Sequence, residues 1–88
     1  MAYRVSNTLT TTNGNTYANT AEWISDHGPC GTQSPNLVNG SLTLLDSTSV
    51  RCVKTFNDQA GHEALKAEKA SYKTNLAYTV SDIVKETI

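Results

Sequence analysis

The stretch SVRCVKTFNDQAGHEALKAEKASY, residues 49–72, changes its apolar rhythm in the middle. That change constrains the fold more than anything else in the chain. Up to Phe56 apolar residues occupy alternate positions, with Lys54 the exception, as in a strand with one buried face. After Asp58 they recur every third or fourth position, the period of a helix. Asn57 or Asp58 caps this helix, predicted over 59–77 because Ala, Leu, Lys and Glu dominate it. A strand therefore runs straight into a helix, and the rest of the chain has to supply partners for both.

The flanking segments do so. Residues 2–10, AYRVSNTLT, alternate, with Tyr3, Val5 and Leu9 on one side and Arg4, Ser6 and Thr8 on the other; Asn7 is polar on the apolar side. TTNG then turns the chain. Asn15 or Thr16 can cap a first helix running to about His27, with Tyr17, Ala21 and Ile24 on one stripe. Gly28-Pro29 stops it, and HGPCGTQSPN is a loop. Residues 37–45 read as a strand that forms a hairpin with the one at 50–56 through Asp46–Ser49. The tail alternates through Val80, Val84 and Ile88 and reads as an edge strand, with a short helix from Ser81 as its competitor.

The order strand, helix, strand, strand, helix, strand is that of a ferredoxin-like α+β domain, βαββαβ, spanning 1–88. Right-handed crossovers put both helices on one face of a four-stranded antiparallel sheet. The other face is left open, and a homodimer covering it is the expectation.

Composition narrows the function. A net charge of −1 with only 17% charged residues argues against a nucleic-acid protein, which needs a basic stripe. No apolar run approaches the roughly 20 residues of a membrane span. MAYRVSNTL has neither a basic nor an apolar leader pattern, so the expected place is a cytoplasm, that of the host if the chain is phage-encoded. Cys30 and Cys52 are expected to be free thiols, Cys52 as a small buried residue. No CxxC, HExxH, calcium loop or glycine-rich phosphate loop is present, so no metal or cofactor is expected.

Four residues are candidates for lining a pocket between helices and sheet. Glu68 falls near the centre of the second helix's apolar stripe with Leu65, Tyr72 and Leu76, a side that Ala64 and Ser71 extend. It is either a carboxylate with raised pKa aimed at a cavity, or one that reaches the rim or pairs with a cation. Asn75 shares the stripe and can hydrogen-bond it. Trp23 and His27, four apart, can touch; they either stack a flat ligand or simply cover the helix edge, with His27 near a favourable C-terminus. His62, with Lys66, Lys69 and Lys73, reads as the solvated side.

The passage VRCVKTFNDQAGHEALKAE, 50–68, resembles the strand-to-helix passage of the dimeric α/β-barrel group: an alternating strand ending in an aromatic, a polar cap and an Ala-rich helix. The opening MAYRVSNTLT is similar to that of small proteins of tailed phages infecting marine cyanobacteria. The barrel group includes monooxygenases and haem-degrading enzymes, so the resemblance implies a dimer but no particular activity. Two functions are expected: a non-catalytic accessory or interaction protein acting as a homodimer, and a small-molecule binder or monooxygenase-like enzyme lined by Trp23, His27, Glu68 and Tyr72. A redox or metal role through Cys30 and Cys52 is the third and lowest.

Overall fold

The computed structural model describes the backbone of residues 1–72 and 77–88, and the side chains of 1–68 and 77–88. Six elements follow in order: β1 (Tyr3–Thr11), α1 (Thr20–His27), β2 (Asn39–Asp46), β3 (Ser49–Phe56), α2 (Gln59–Tyr72) and β4 (Tyr78–Thr87). The strands form one antiparallel sheet in the order β2-β3-β1-β4. The architecture is ferredoxin-like α+β, as the element order predicts. The tail is a strand, at the sheet edge.

Register explains the layering. Val5 lies opposite Lys54 and Leu9 opposite Val50, so odd residues of β1 and even residues of β3 share a face. Trp23 of α1 packs with Leu9, Val50 and Cys52, and Leu65 of α2 packs with Val5 and Phe56. Both helices therefore cover the same face, one at each end of it. The other face carries Arg4, Ser6, Thr8, Arg51, Val53 and Thr55, and it is knitted by polar groups. The Arg51 guanidinium donates to Thr8 Oγ1 at 3.1 Å, Ser6 Oγ at 3.1 Å and the Asp82 carbonyl at 3.2 Å. Arg4 pairs with Glu86 at 2.7 Å.

Three local expectations change. Helix α1 starts at Thr20, not near Thr16, because Asn19 is its cap: Asn19 Oδ1 accepts from Glu22 N at 3.0 Å, and Glu22 Oε1 accepts from Ala18 N at 2.7 Å. That reciprocal arrangement outcompetes the earlier polar residues. Tyr17 is buried from the loop before the helix. The second change concerns α2, whose inward stripe runs through His62 and Leu65, with Ala64 exposed. His62 is 7% exposed, between the rings of Tyr3 (5.7 Å) and Phe56 (5.4 Å), rather than on the solvated side. Gly61 permits that approach, since a Cβ there would lie 3.2 Å from Phe56 Cβ. Third, β2 begins at Asn39. A Cβ on Gly40 would sit 2.7 Å from the Thr32 carbonyl, so only glycine lets the 29–37 loop cross here. The predicted helical stretch 73–76, with Lys73, Asn75 and Leu76, lies outside the described residues.

Strand β4 departs from regularity once. Between its pairs Ser6–Val84 and Thr8–Ser81 it carries an extra residue, and Asp82 there has φ 51°. This is a bulge with an L-residue in the left-handed region, a conformation that favours glycine. Arg51 holds it by the Asp82 carbonyl. No helix among the described residues is long and apolar enough to cross a membrane.

Candidate functional site

Trp23 and His27 meet, as their spacing predicts. Their ring centroids are 4.3 Å apart, one helical turn along α1. Trp23 is fully buried and wedges between α1 and the sheet, with Tyr17 at 5.3 Å and Tyr78 at 6.2 Å. Its indole Nε1 donates to Cys30 Sγ at 3.5 Å. The space where a flat ligand would stack is filled by the protein's own rings.

His27 closes a polar ring around the end of β1. Its Nε2 lies 3.0 Å from Thr11 Oγ1 and 3.1 Å from the Tyr17 hydroxyl. Proton accounting assigns the tautomer. Asn13 Oδ1 accepts from Asn15 N at 2.9 Å, which orients the amide, and the Thr11 hydroxyl donates to the same oxygen at 2.9 Å. Asn13 Nδ2 donates to the Tyr17 oxygen at 3.0 Å, and the Tyr17 hydroxyl donates to Asp26 Oδ2 at 2.9 Å. With both hydroxyl protons directed to these acceptors, the tautomer that satisfies the network carries its proton on Nε2. Burial lowers the His27 pKa, and the Asp26 carboxylate opposes that only in part. The neutral ring therefore leaves its lone pair on Nδ1. In that tautomer Nε2 donates to Thr11 rather than taking its proton. The ring fastens the 11–17 segment to α1.

Glu68 is placed differently. Its Oε2 accepts from Ser34 Oγ at 2.8 Å and from Asn36 Nδ2 at 2.9 Å. The carboxylate thus pins the 29–37 loop to α2, at the rim of the helix–sheet layer. Tyr72 ends α2, and its side chain lies outside the description. Of the four candidates, then, Trp23 and His27 are brought together, and the bonds described for Glu68 run to a separate loop. The residues that sequence reasoning missed are Thr11, Asn13, Tyr17 and Asp26. They come from three segments, and no spacing links them before the fold is known.

A shallow polar groove runs beside this ring, lined by Asn15, Thr16, Tyr17, Glu22, Ser25 and Asp26. Cys30 and Cys52 are free and buried. Among the described residues no three His, Cys, Asp or Glu side chains are grouped to hold a metal ion. No protein-family model, curated protein or solved structure matches this chain.

Proposed function

We propose that this chain is a non-catalytic interaction protein that acts as a homodimer through the β4 side of its open sheet. The observation that carries this reading is β4 itself. It is ten residues long, pairs only with β1 among the described strands, and is exposed along nearly its whole length. Val80, Ile83, Val84 and Ile88 are each between 44% and 56% exposed, so apolar surface gathers at this edge. An edge of this kind is a template for strand addition.

Charge favours one pairing of two copies. Ile88 N donates to Ala2 O, so residues 84, 86 and 88 turn their backbone groups inward, and Ile83, Lys85 and Thr87 turn theirs outward. An antiparallel two-fold centred on Lys85 or Glu86 would set like charges opposite each other. Centred on Val84, it sets Val84 against Val84 and Ile83 against Lys85, and the bulge takes Asp82 out of line before it would meet Glu86. The bulge at Asp82 and the nearby charges restrict the pairing to this short register. The similarity of the opening strand to small phage proteins accords with an accessory role.

Native mass spectrometry tests the reading. A dimer is expected, and Val84→Lys should return it to monomer with the far-UV spectrum unchanged. A wild-type monomer at micromolar concentration refutes it. A dimer carrying extra mass would favour the small-molecule reading instead.

A further inference from the structure

The sequence holds two Asn-Gly pairs, Asn13-Gly14 and Asn39-Gly40. In such a pair the glycine nitrogen can attack the asparagine side-chain carbonyl and close a succinimide ring, because no Cβ on the glycine blocks the approach. The fold treats the two pairs differently. Gly40 lies in the ladder of β2, opposite Lys54, and a Cβ there would meet the Thr32 carbonyl at 2.7 Å. The extended peptide at Asn39 is therefore held on both sides. Gly14 lies in the turn after β1, with φ 82° and open space where a Cβ would stand. Asn13 and Gly14 are both exposed, and among the described residues no backbone carbonyl accepts from the Gly14 N–H.

The Asn13 carboxamide is placed for that attack. Its Oδ1 accepts from Asn15 N at 2.9 Å and from Thr11 Oγ1 at 2.9 Å. The bond to Asn15 spans Gly14, so the side chain folds back along the peptide whose nitrogen would attack. Two donors on one carbonyl oxygen also polarise its carbon. They stabilise the oxygen as it becomes negative in the tetrahedral adduct, as an oxyanion hole does. The nitrogen that must depart, Nδ2, lies 3.0 Å from the Tyr17 oxygen. Tyr17 in turn meets Asp26 Oδ2 at 2.9 Å and His27 Nε2 at 3.1 Å, so its hydroxyl belongs to a chain of proton-bearing groups.

We propose that Asn13-Gly14 is a self-modification site, at which the fold itself promotes deamidation of Asn13. Gly14 N bonds to Asn13 Cγ and loses its proton to water. The Cγ–Nδ2 bond breaks, and Nδ2 leaves as ammonia with a proton taken from the Tyr17 hydroxyl, which water restores. Water then opens the succinimide to aspartate or to isoaspartate. The sum is amide plus water to acid plus ammonia, with no oxidant or cofactor. The new carboxylate cannot donate to the Tyr17 oxygen as the amide does. Either that bond is lost, or the Tyr17 hydroxyl turns from Asp26 to make it. In both cases the polar ring that fastens 11–17 to α1 loosens, at a rate set by the chain's own chemistry.

The experiment is peptide-resolved mass spectrometry of the protein held in mildly alkaline buffer, folded and unfolded in guanidinium chloride. It follows the mass gain at each Asn-Gly pair. Unfolded, the two sites should convert at comparable rates. Folded, Asn13 should convert at least about tenfold faster than Asn39, and faster than Asn13 does in the unfolded chain. Thr11→Val removes one donor to Oδ1 and should slow folded Asn13 by about tenfold or more, with Asn39 unchanged. Tyr17→Phe removes the proton donor at Nδ2 and should slow it as well, if Thr11→Val does not fold by circular dichroism. The wild-type comparison decides alone if neither variant folds. Asn13 converting more slowly in the fold than in guanidinium would show that the same bonds protect the amide, and overturns the proposal. Equal rates at the two folded sites overturn it too, as does an acceleration that survives both substitutions.

Discussion

Trp23 decides whether the space between α1 and the sheet is a core or a ligand pocket. The side chain is fully buried, and the chain has no second tryptophan. A buried aromatic removes about 150–250 Å² from water. At about 25 cal/mol per Å² that burial is worth roughly 4–6 kcal/mol. An 88-residue domain has a total stability of roughly 4–13 kcal/mol at typical values per residue. Trp23→Ala should therefore remove most or all of the folded state. Trp23→Phe keeps the six-membered ring, but it loses the outer part of the indole and the bond to Cys30 Sγ. Its expected cost is about 2 kcal/mol, which lowers the melting temperature by roughly 10 °C in a domain of this size. Urea unfolding followed by far-UV circular dichroism is the assay, because both variants lose the fluorescent probe. A cost below about 0.5 kcal/mol for Trp23→Phe, or a folded and stable Trp23→Ala, would refute the wedge. The ring would then be a dispensable pocket wall, and the small-molecule reading would gain.

The other predictions concern the edge, the loop and pH. Asp82→Gly relieves a left-handed residue while keeping the carbonyl that Arg51 holds; a gain of about 0.5 kcal/mol is expected in urea unfolding, against a loss of more than about 1 kcal/mol for Asp82→Val. Matching midpoints for the two variants would show that φ is not what matters there. Glu68→Gln keeps an acceptor for Ser34 or Asn36 but loses charge assistance, so a cost of about 1 kcal/mol and faster amide exchange in 31–37 are expected. A loop that exchanges as before would remove the pin. The pKa values of His27 and His62 are both lowered in the fold. Protonation then favours the unfolded chain, so stability is complete above the ordinary value of 6.5 and declines as pH falls through it toward the folded values. A melting temperature that stays flat from about pH 7.5 to about pH 5 contradicts this.

The fold was legible because its signals are local and agree with one another. Alternation through Val50, Cys52 and Phe56, the switch to helical period after Asp58, and the hairpin at Asp46–Ser49 each depend on neighbours in sequence. Asp46 shows how local they are. Its Oδ1 accepts from Thr48 N, Thr48 Oγ1 and Ser49 Oγ, at 2.9, 3.0 and 2.9 Å, and these bonds hold its carboxyl below the ordinary pKa. Helix phase was harder to read. The apolar stripe of α2 predicts Ala64 and Leu65 facing inward, but Gly61 lets the first turn approach Phe56, and the helix rotates to bury His62. A missing Cβ carried more weight than an apolar methyl, and hydropathy patterns do not register that.

The same contrast separates what was visible at the sites. Trp23 and His27 were paired by helical spacing, a one-dimensional relation. The Thr11–Asn13–Tyr17–Asp26 ring around them needed the strand end, the loop and the helix to converge. Lys54 was visible only as an exception to alternation. In the fold it faces the covered layer, in line with Lys85, because Val5 fixes both registers. A lysine that breaks a strand pattern has two physical outcomes: the strand twists it to solvent, or the fold buries its stem and lets the charged end reach the rim. Lys54 is 6% exposed, while the buried side-chain polar atom without a partner among the described residues is Asn7 Oδ1, which selects the second. Lys54→Met keeps the packing of the stem and loses only a rim charge, so its stability in urea unfolding should match or exceed that of the wild type. A loss of more than about 1 kcal/mol would show that the ammonium itself holds the layer together.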